Sequence, residues 1–299
     1  IRNQGLAKTW EERAMWNRMR MSARDLLDVT GSTYTYLING RDNATNWTAL
    51  YKPGETIRLR IINGSAMSFF DFRIPGVEMT VVSADGQPVK PVTVDEFRIG
   101  VAETYDVIVT PKGGRPYTLF AESMDRSGYV RATLATELGQ EAAVPELRPV
   151  AERGMAAMGM SHEMSGVDTE SSGRDKSGMD GHHDMHAGQS AKMGMGPPRP
   201  SAPDLGIEHA PGGHGPGAAM IARKPVSRLN EAGVGLDDAT HRVLVYGDLI
   251  GAHPWPDERK PERDIELHLT GNMEKYMWSF DGLKFTEVDG PVEFRYGER

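Results

Sequence analysis

The chain of 299 residues contains no cysteine. That excludes disulfides, thiolate zinc sites, iron–sulfur clusters and a cysteine nucleophile. It also excludes a blue-copper centre within this chain, because that centre needs a thiolate ligand. Long hydrophobic runs are lacking as well: no apolar stretch approaches the roughly 20 residues that span a bilayer, so no membrane span is expected. The opening Ile1-Arg2-Asn3-Gln4-Gly5 is not a charged region followed by an apolar one, so no signal peptide is read there. An excess of positive charge is missing too. The formal net charge is -8, whereas a nucleic-acid partner requires a basic face; a net negative chain is compatible with binding cations. The chain does not begin with Met, and Phe294–Arg299 reads as a strand running into a turn with no strand after it. An internal piece of a longer protein is therefore expected.

Apolar and charged residues are present in ordinary globular proportion, enough for a sizeable core. Residues 1–30 read as a helical connector, with Trp10, Ala14, Met15, Met19 and Leu26 at partial helical spacing and Thr9 followed by Glu12 as a capping box. From 31 to 137 the pattern changes to short strands rich in β-branched and aromatic residues: Thr33–Ile38, Glu55–Ile62, Ser68–Ile74, Val77–Ser83, Val92–Ile99, Tyr105–Thr110, Tyr117–Ala121 and Tyr129–Leu134. The dipeptides Asn39-Gly40, Pro53-Gly54, Asn63-Gly64, Pro75-Gly76, Asp85-Gly86 and Gly113-Gly114 punctuate them as turns. Strands at this spacing predict an all-β Greek-key sandwich.

Residues 138–238 are different. Gly, Pro, Ser, Met and His dominate, aromatic residues vanish and no apolar period is sustained, which is the composition of a long disordered linker. Strand patterns return within 239–299, at His241–Tyr246, Asp264–Thr270, Tyr276–Phe280 and Val292–Tyr296, with Asp281-Gly282 as a hairpin turn. Four strands do not close a sandwich, so the opening part of a second β domain is expected.

The chemistry concentrates in the linker. Between Met155 and Met220 lie nine of the seventeen Met residues and six of the nine His residues. The candidate metal ligands are Met155, Met158, Met160, His162 and Met164, then Met179, His182, His183, Met185 and His186, then Met193 and Met195. Thioether sulfur is soft, neutral and carries no proton, so it favours Cu(I); imidazole adds affinity for Cu(II). Gly and Ser spacers let the chain wrap several donors round one ion without fixed spacing. Exposed Met in a linker otherwise brings only oxidation. Binding of nickel or zinc through His alone leaves the Met residues unexplained. His209 and His214 are weaker candidates, and His241, His253 and His268, in or beside strand-like sequence, read as structural.

Other constellations fail. Gly213-His214-Gly215-Pro216-Gly217 does not follow a strand, and G-x-S-x-G and H-E-x-x-H are absent. The acidic residues Asp71, Asp85, Asp95, Glu96, Glu103 and Asp106 sit in strand-and-turn sequence, where solvated or turn roles are expected and no catalytic pair stands out.

Several stretches are familiar as text. Thr33–Gly40, Asn46-Trp47-Thr48, Arg60–Met67, Ala84–Val89, Val94–Val107, Glu122–Tyr129, Leu267–Met273 and Tyr276–Gly282 resemble the bacterial periplasmic copper-resistance multicopper oxidases of the copper-resistance protein A type. The match covers nearly everything outside the linker. The resemblance implies a cupredoxin-like middle domain at 31–137, the N-terminal part of the last cupredoxin domain at 239–299, copper as cofactor, a periplasmic location, and an intact parent that oxidises Cu(I) or phenolic substrates with oxygen. It also implies that the catalytic ligands, His-x-His pairs and a His-Cys-His stretch, lie in first and last domain portions of the same protein. Neither motif occurs here. No catalytic residue is therefore assigned, the fragment alone is expected to be inactive, and copper ions are its expected partner. A non-enzymatic periplasmic copper-sequestering protein, with the β domains as scaffold, is the alternative.

Overall fold

Strand Ile57–Ile62 shows why this sequence builds sheets. Its residues alternate between half-buried and exposed, with Ile57, Leu59 and Ile61 facing inward and Arg58 and Arg60 facing out. The same alternation runs through Met79–Ala84 and Thr104–Val109. The computed structural model describes residues 5–7, 9–10, 13–14, 22–27, 29–153, 227–263, 265, 267–272, 277–288 and 290–299.

Nine strands lie between residues 47 and 135: β1 (Trp47–Leu50), β2 (Ile57–Ile62), β3 (Phe70–Arg73), β4 (Met79–Ala84), β5 (Gln87–Val94), β6 (Glu96–Ile99), β7 (Thr104–Val109), β8 (Tyr117–Ser123) and β9 (Tyr129–Ala135). They form two sheets, ordered β1-β9-β8-β3-β6 and β2-β7-β4-β5. Every pair is antiparallel except β1 with β9, which run parallel from Trp47 opposite Ala132. The fold is the expected all-β, cupredoxin-like sandwich. A separate two-stranded sheet joins β10 (Leu269–Asn272) to β11 (Met277–Phe280).

The core fills the space between the two sheets. Phe97 packs against Phe72 at 5.3 Å and Tyr105 at 5.0 Å between ring centroids, joining one sheet to the other. Met79, Val81, Val107, Val109 and Leu134 are fully buried around them. Val107→Ala removes buried methyl groups from β7, the strand flanked by both β2 and β4, and leaves a cavity. A loss of about 2 kcal/mol is expected, read as a lower urea midpoint at unchanged m-value.

Three turns match their sequence signals. Asp85-Gly86, Asn39-Gly40 and Asp281-Gly282 each place both residues at positive φ, the conformation of a type I′ turn. Elsewhere the structure differs from the sequence expectation. Thr33–Ile38 forms turns and a single bridge from Ile38 to Arg41 rather than a strand. Trp47–Leu50 is a strand that the alternation did not mark. The run expected at Val92–Ile99 breaks at Asp95: β5 belongs to the four-stranded sheet and β6 to the five-stranded one. The chain changes sheets there, so Val94, Glu96 and Phe97 are all buried and the period of two is lost. Val292–Tyr296 is not a strand. Residues Leu6, Ala7, Thr9, Trp10, Arg13 and Ala14 are helical and 22–27 are not. Among the described residues no helix is long and apolar enough to cross a membrane.

His241–Tyr246 also forms no strand, and its place is informative. Val243 makes one parallel bridge to Glu96, the Leu244 N–H donates to the Glu96 carbonyl at 2.9 Å, and Val243, Leu244 and Val245 are buried. Further along, Gly251 bridges Val89 and the Lys90 N–H donates to the Ile250 carbonyl at 2.7 Å. The segment after the linker therefore closes the exposed edges of β5 and β6, where unpaired strand groups would otherwise invite another chain.

Candidate functional site

The twelve candidate copper ligands, from Met155 to Met195, lie outside the described residues, as do His209 and His214. What the structure does show is how the chain on either side of them is fixed. Both flanks touch the outer face of the five-stranded sheet, the incoming one at Arg148 and the outgoing one at Val234, Gly235 and His241.

That face carries an unusual charge pattern. In register across β8, β3 and β6 stand Glu122, Asp71 and Arg98, and beside them Phe120, Arg73 and Glu96. Asp71, Glu96 and Glu122 have no exposed side-chain surface, and neither has Arg126. Buried ions are tolerated only when paired and hydrogen-bonded, and these are. Arg98 grips Asp71 through two bonds, Nε to Oδ1 at 2.8 Å and Nη2 to Oδ2 at 3.0 Å. Arg126 Nη1 donates to Asp71 Oδ2 at 2.6 Å.

The incoming flank adds Arg148. Its backbone N–H donates to Glu122 Oε1 at 2.6 Å, its Nε to Glu122 Oε2 at 2.8 Å, and its Nη1 to Glu96 Oε2 at 3.3 Å, with Nη2 on Glu96 Oε1. Burial works against the charge of Arg148, but the hydrogen bonds and charges of Glu96 and Glu122 outweigh it and raise its pKa above the ordinary arginine value. Pro145 and Pro149 keep this stretch from becoming a helix. At its end the Arg153 N–H donates to the Ala23 carbonyl at 2.8 Å.

The outgoing flank is held by the same arginines. Arg98 Nη2 donates to the Val234 carbonyl at 2.8 Å and Arg126 Nη2 to the Gly235 carbonyl at 3.1 Å. Glycine is required here. Gly233 and Gly235 have φ of +89° and +80°, and a Cβ would stand 2.9 Å from Arg98 Nη1 at the first and 3.0 Å from the Ala151 Cβ at the second. That second approach brings the two flanks together: Ala151 and Gly235 line one cleft with Arg153, Arg228 and Asp237. The Met- and His-rich insert thus leaves and rejoins the sandwich at neighbouring points.

Most of the remaining groups have structural partners. His241 Nε2 meets Glu96 Oε2 at 2.5 Å, and His268 Nδ1 meets Asp281 Oδ1 at 2.7 Å. His253 is exposed. Of the acidic residues, Asp85 accepts the Thr104 N–H, Glu103 the Gly100 N–H, and Asp106 pairs with Arg58. These are the turn and surface roles expected. Asp71 and Glu96 are instead the centre of a buried ion network. A single strand's alternation marks which residues share a face; it carries no sign that a distant flank will cover that face.

Residues 9–140 match the multicopper oxidase family. Over its whole length the chain is similar to copper resistance protein A. It is 49% identical to copper resistance protein A of Escherichia coli, with 100% of this chain and 52% of that protein covered. It is 48% identical to a copper resistance protein A homolog of Pseudomonas syringae pv. tomato, with 100% and 50% covered. The chain thus spans about half the length of these relatives. Among solved structures, Fet3p, a multicopper oxidase that functions in iron import, is 23% identical with a TM-score of 0.32, covering 40% of this chain and 25% of that one.

Copper is the cofactor of the family. The described residues do not fit a copper centre: among them no group of three or more His, Cys, Asp or Glu side chains is placed to hold a metal ion, and the chain has no thiolate.

Proposed function

We propose that this chain is the middle part of a periplasmic copper-resistance oxidase, and that its own contribution is to bind copper through the Met/His-rich insert. The parent protein oxidises Cu(I) or phenolic substrates with oxygen, at catalytic coppers whose ligands lie in first and last domain portions beyond this chain. On this reading residues 31–137 are the middle cupredoxin-like domain, 239–299 open the last one, and the insert between them gathers copper. The observation that carries the reading is the full-length match to copper resistance protein A, which runs across the insert as well as the sandwich. The donor set supports it: clustered thioethers with interspersed imidazoles suit Cu(I) first and Cu(II) second.

The chain titrated with Cu(I) against a chromophoric chelator is expected to strip copper from the chelator. Loaded with Cu(II), it is expected to show neither the intense blue absorption of a thiolate site nor oxidase activity. Failure to compete for Cu(I) would remove the insert from copper handling. An intense blue band would contradict the ligand assignment, since no cysteine is present. A parent that binds copper but oxidises nothing would favour the sequestering alternative.

A further inference from the structure

Arg73 is the arginine on the charged face that makes no hydrogen bond among the described residues. Its side chain is 16% exposed, and its ion contact among those residues is Glu96 Oε1 at 3.6 Å. Its guanidinium carbon lies 5.1 Å above the centre of the Phe120 ring, which covers one side of the plane. Among the described residues no group accepts a hydrogen bond from it. Glu96 instead takes Arg148 on Oε1, and Arg148 with His241 on Oε2. Burial is the main influence on Arg73 and pushes its pKa below the ordinary arginine value, Glu96 pulling it back upward. Its unused donors are not sealed inside the sheet, and an acceptor reaching the surface there can take them.

The fork opens on a cleft. Arg73, Ile74, Pro75, Val144, Pro145 and His241 line a space of about 550 Å³, within the range of small-molecule sites. Its walls are mostly apolar, and the Arg73 guanidinium is a planar fork whose geometry matches a carboxylate. Behind it three carboxylates, Asp71, Glu96 and Glu122, meet four guanidiniums, Arg73, Arg98, Arg126 and Arg148. Asp95 also lines the space, its Oδ2 accepting the Arg242 N–H at 2.9 Å, so these charges balance and a dianion such as phosphate is disfavoured there.

We propose that this cleft binds a small organic monocarboxylate, its carboxylate on the Arg73 fork and its apolar body between Ile74, Pro75, Val144 and Pro145. The site stands apart from the copper-binding insert and uses none of its residues. Benzoate is the probe. Calorimetric titration of the full chain with benzoate is expected to give saturable 1:1 binding that inorganic phosphate at equal concentration does not displace. Arg73→Met keeps the packing on Phe120 and removes the fork; it is expected to weaken binding at least about tenfold. Val144→Glu leaves the ion network intact and sets a negative charge in the cleft, and it too is expected to weaken benzoate at least about tenfold. This second variant decides the matter if Arg73→Met does not fold. Absence of saturable binding by the unaltered chain, or affinity unchanged in Val144→Glu, overturns the proposal. Displacement by phosphate as effective as by benzoate overturns the assignment to organic carboxylates.

Discussion

Deletion of residues 155–220 is expected to abolish Cu(I) capture by this chain while leaving the sandwich folded. The first half follows from donor chemistry: the segment holds nine of seventeen Met residues and six of nine His residues, and the described residues outside it contain no group of three or more His, Cys, Asp or Glu side chains placed to hold a metal ion. The second half follows from the flanks. Arg148 is fixed to Glu122 and Glu96 before the insert, and Val234 and Gly235 are fixed to Arg98 and Arg126 after it. With Ala151 beside Gly235, a short Gly/Ser bridge can close the gap without strain. Shortening the connection changes chain entropy only logarithmically, by about 1–2 kcal/mol at most. Two measurements on the deleted chain check this: chelator competition for Cu(I) and a urea unfolding curve. Retained copper binding would place the site in the sandwich. Replacing the insert's Met residues by Leu separates the donors further. Thioethers carry no proton, so Cu(I) capture by the unaltered chain is expected to persist near about pH 5, where most imidazoles are protonated; the Met→Leu chain should lose it there.

Much of the fold was legible in the sequence because alternation is a local property. Ile57–Ile62 shows its buried and exposed faces residue by residue, and Asp85-Gly86 reports its own turn because both positions need positive φ. What escaped was set by contacts between distant parts of the chain. The break at Asp95 arises because β5 and β6 join different sheets, and the run of apolar residues across it looks continuous. Trp47–Leu50 is a strand because β9 lies beside it. The buried network escaped for the same reason: Asp71 and Glu96 look like ordinary outward residues until Arg148, some 77 and 52 positions later in the numbering, closes over them. The candidate copper ligands, outside the described residues, stand out in the opposite sense. Composition alone carries that signal, since flexible spacers relieve the donors of any fixed spacing.

Asp71→Ala is expected to cost about 3–5 kcal/mol, a large share of the roughly 5–15 kcal/mol that holds a domain together. Asp71 has no exposed side-chain surface, and its carboxylate is the shared acceptor of Arg98 and Arg126. Its removal leaves Arg126, fully buried itself, with Glu122 Oε2 at 3.5 Å as its remaining carboxylate, and its Nε already has no hydrogen-bond partner. Uncompensated buried charge, rather than lost attraction, makes the cost large. The triple change Asp71→Leu, Arg98→Met and Arg126→Met removes the charges together and is expected to recover most of the stability, because apolar residues of similar volume commonly replace buried ion networks without loss. The two sets differ in function as well. Arg98 and Arg126 hold the Val234 and Gly235 carbonyls, so in the triple variant the sandwich is expected to stay stable while the outgoing flank is released. Urea unfolding reads the first effect, and the rate of proteolytic cleavage within 228–240 in the native state reads the second. A triple variant as unstable as Asp71→Ala would show that the network's hydrogen-bond geometry, and not its charge balance, sustains the sheet. A triple variant cleaved no faster than the unaltered chain would show that the flank is held by the burial of Leu236, Val243, Leu244 and Val245 rather than by the arginines.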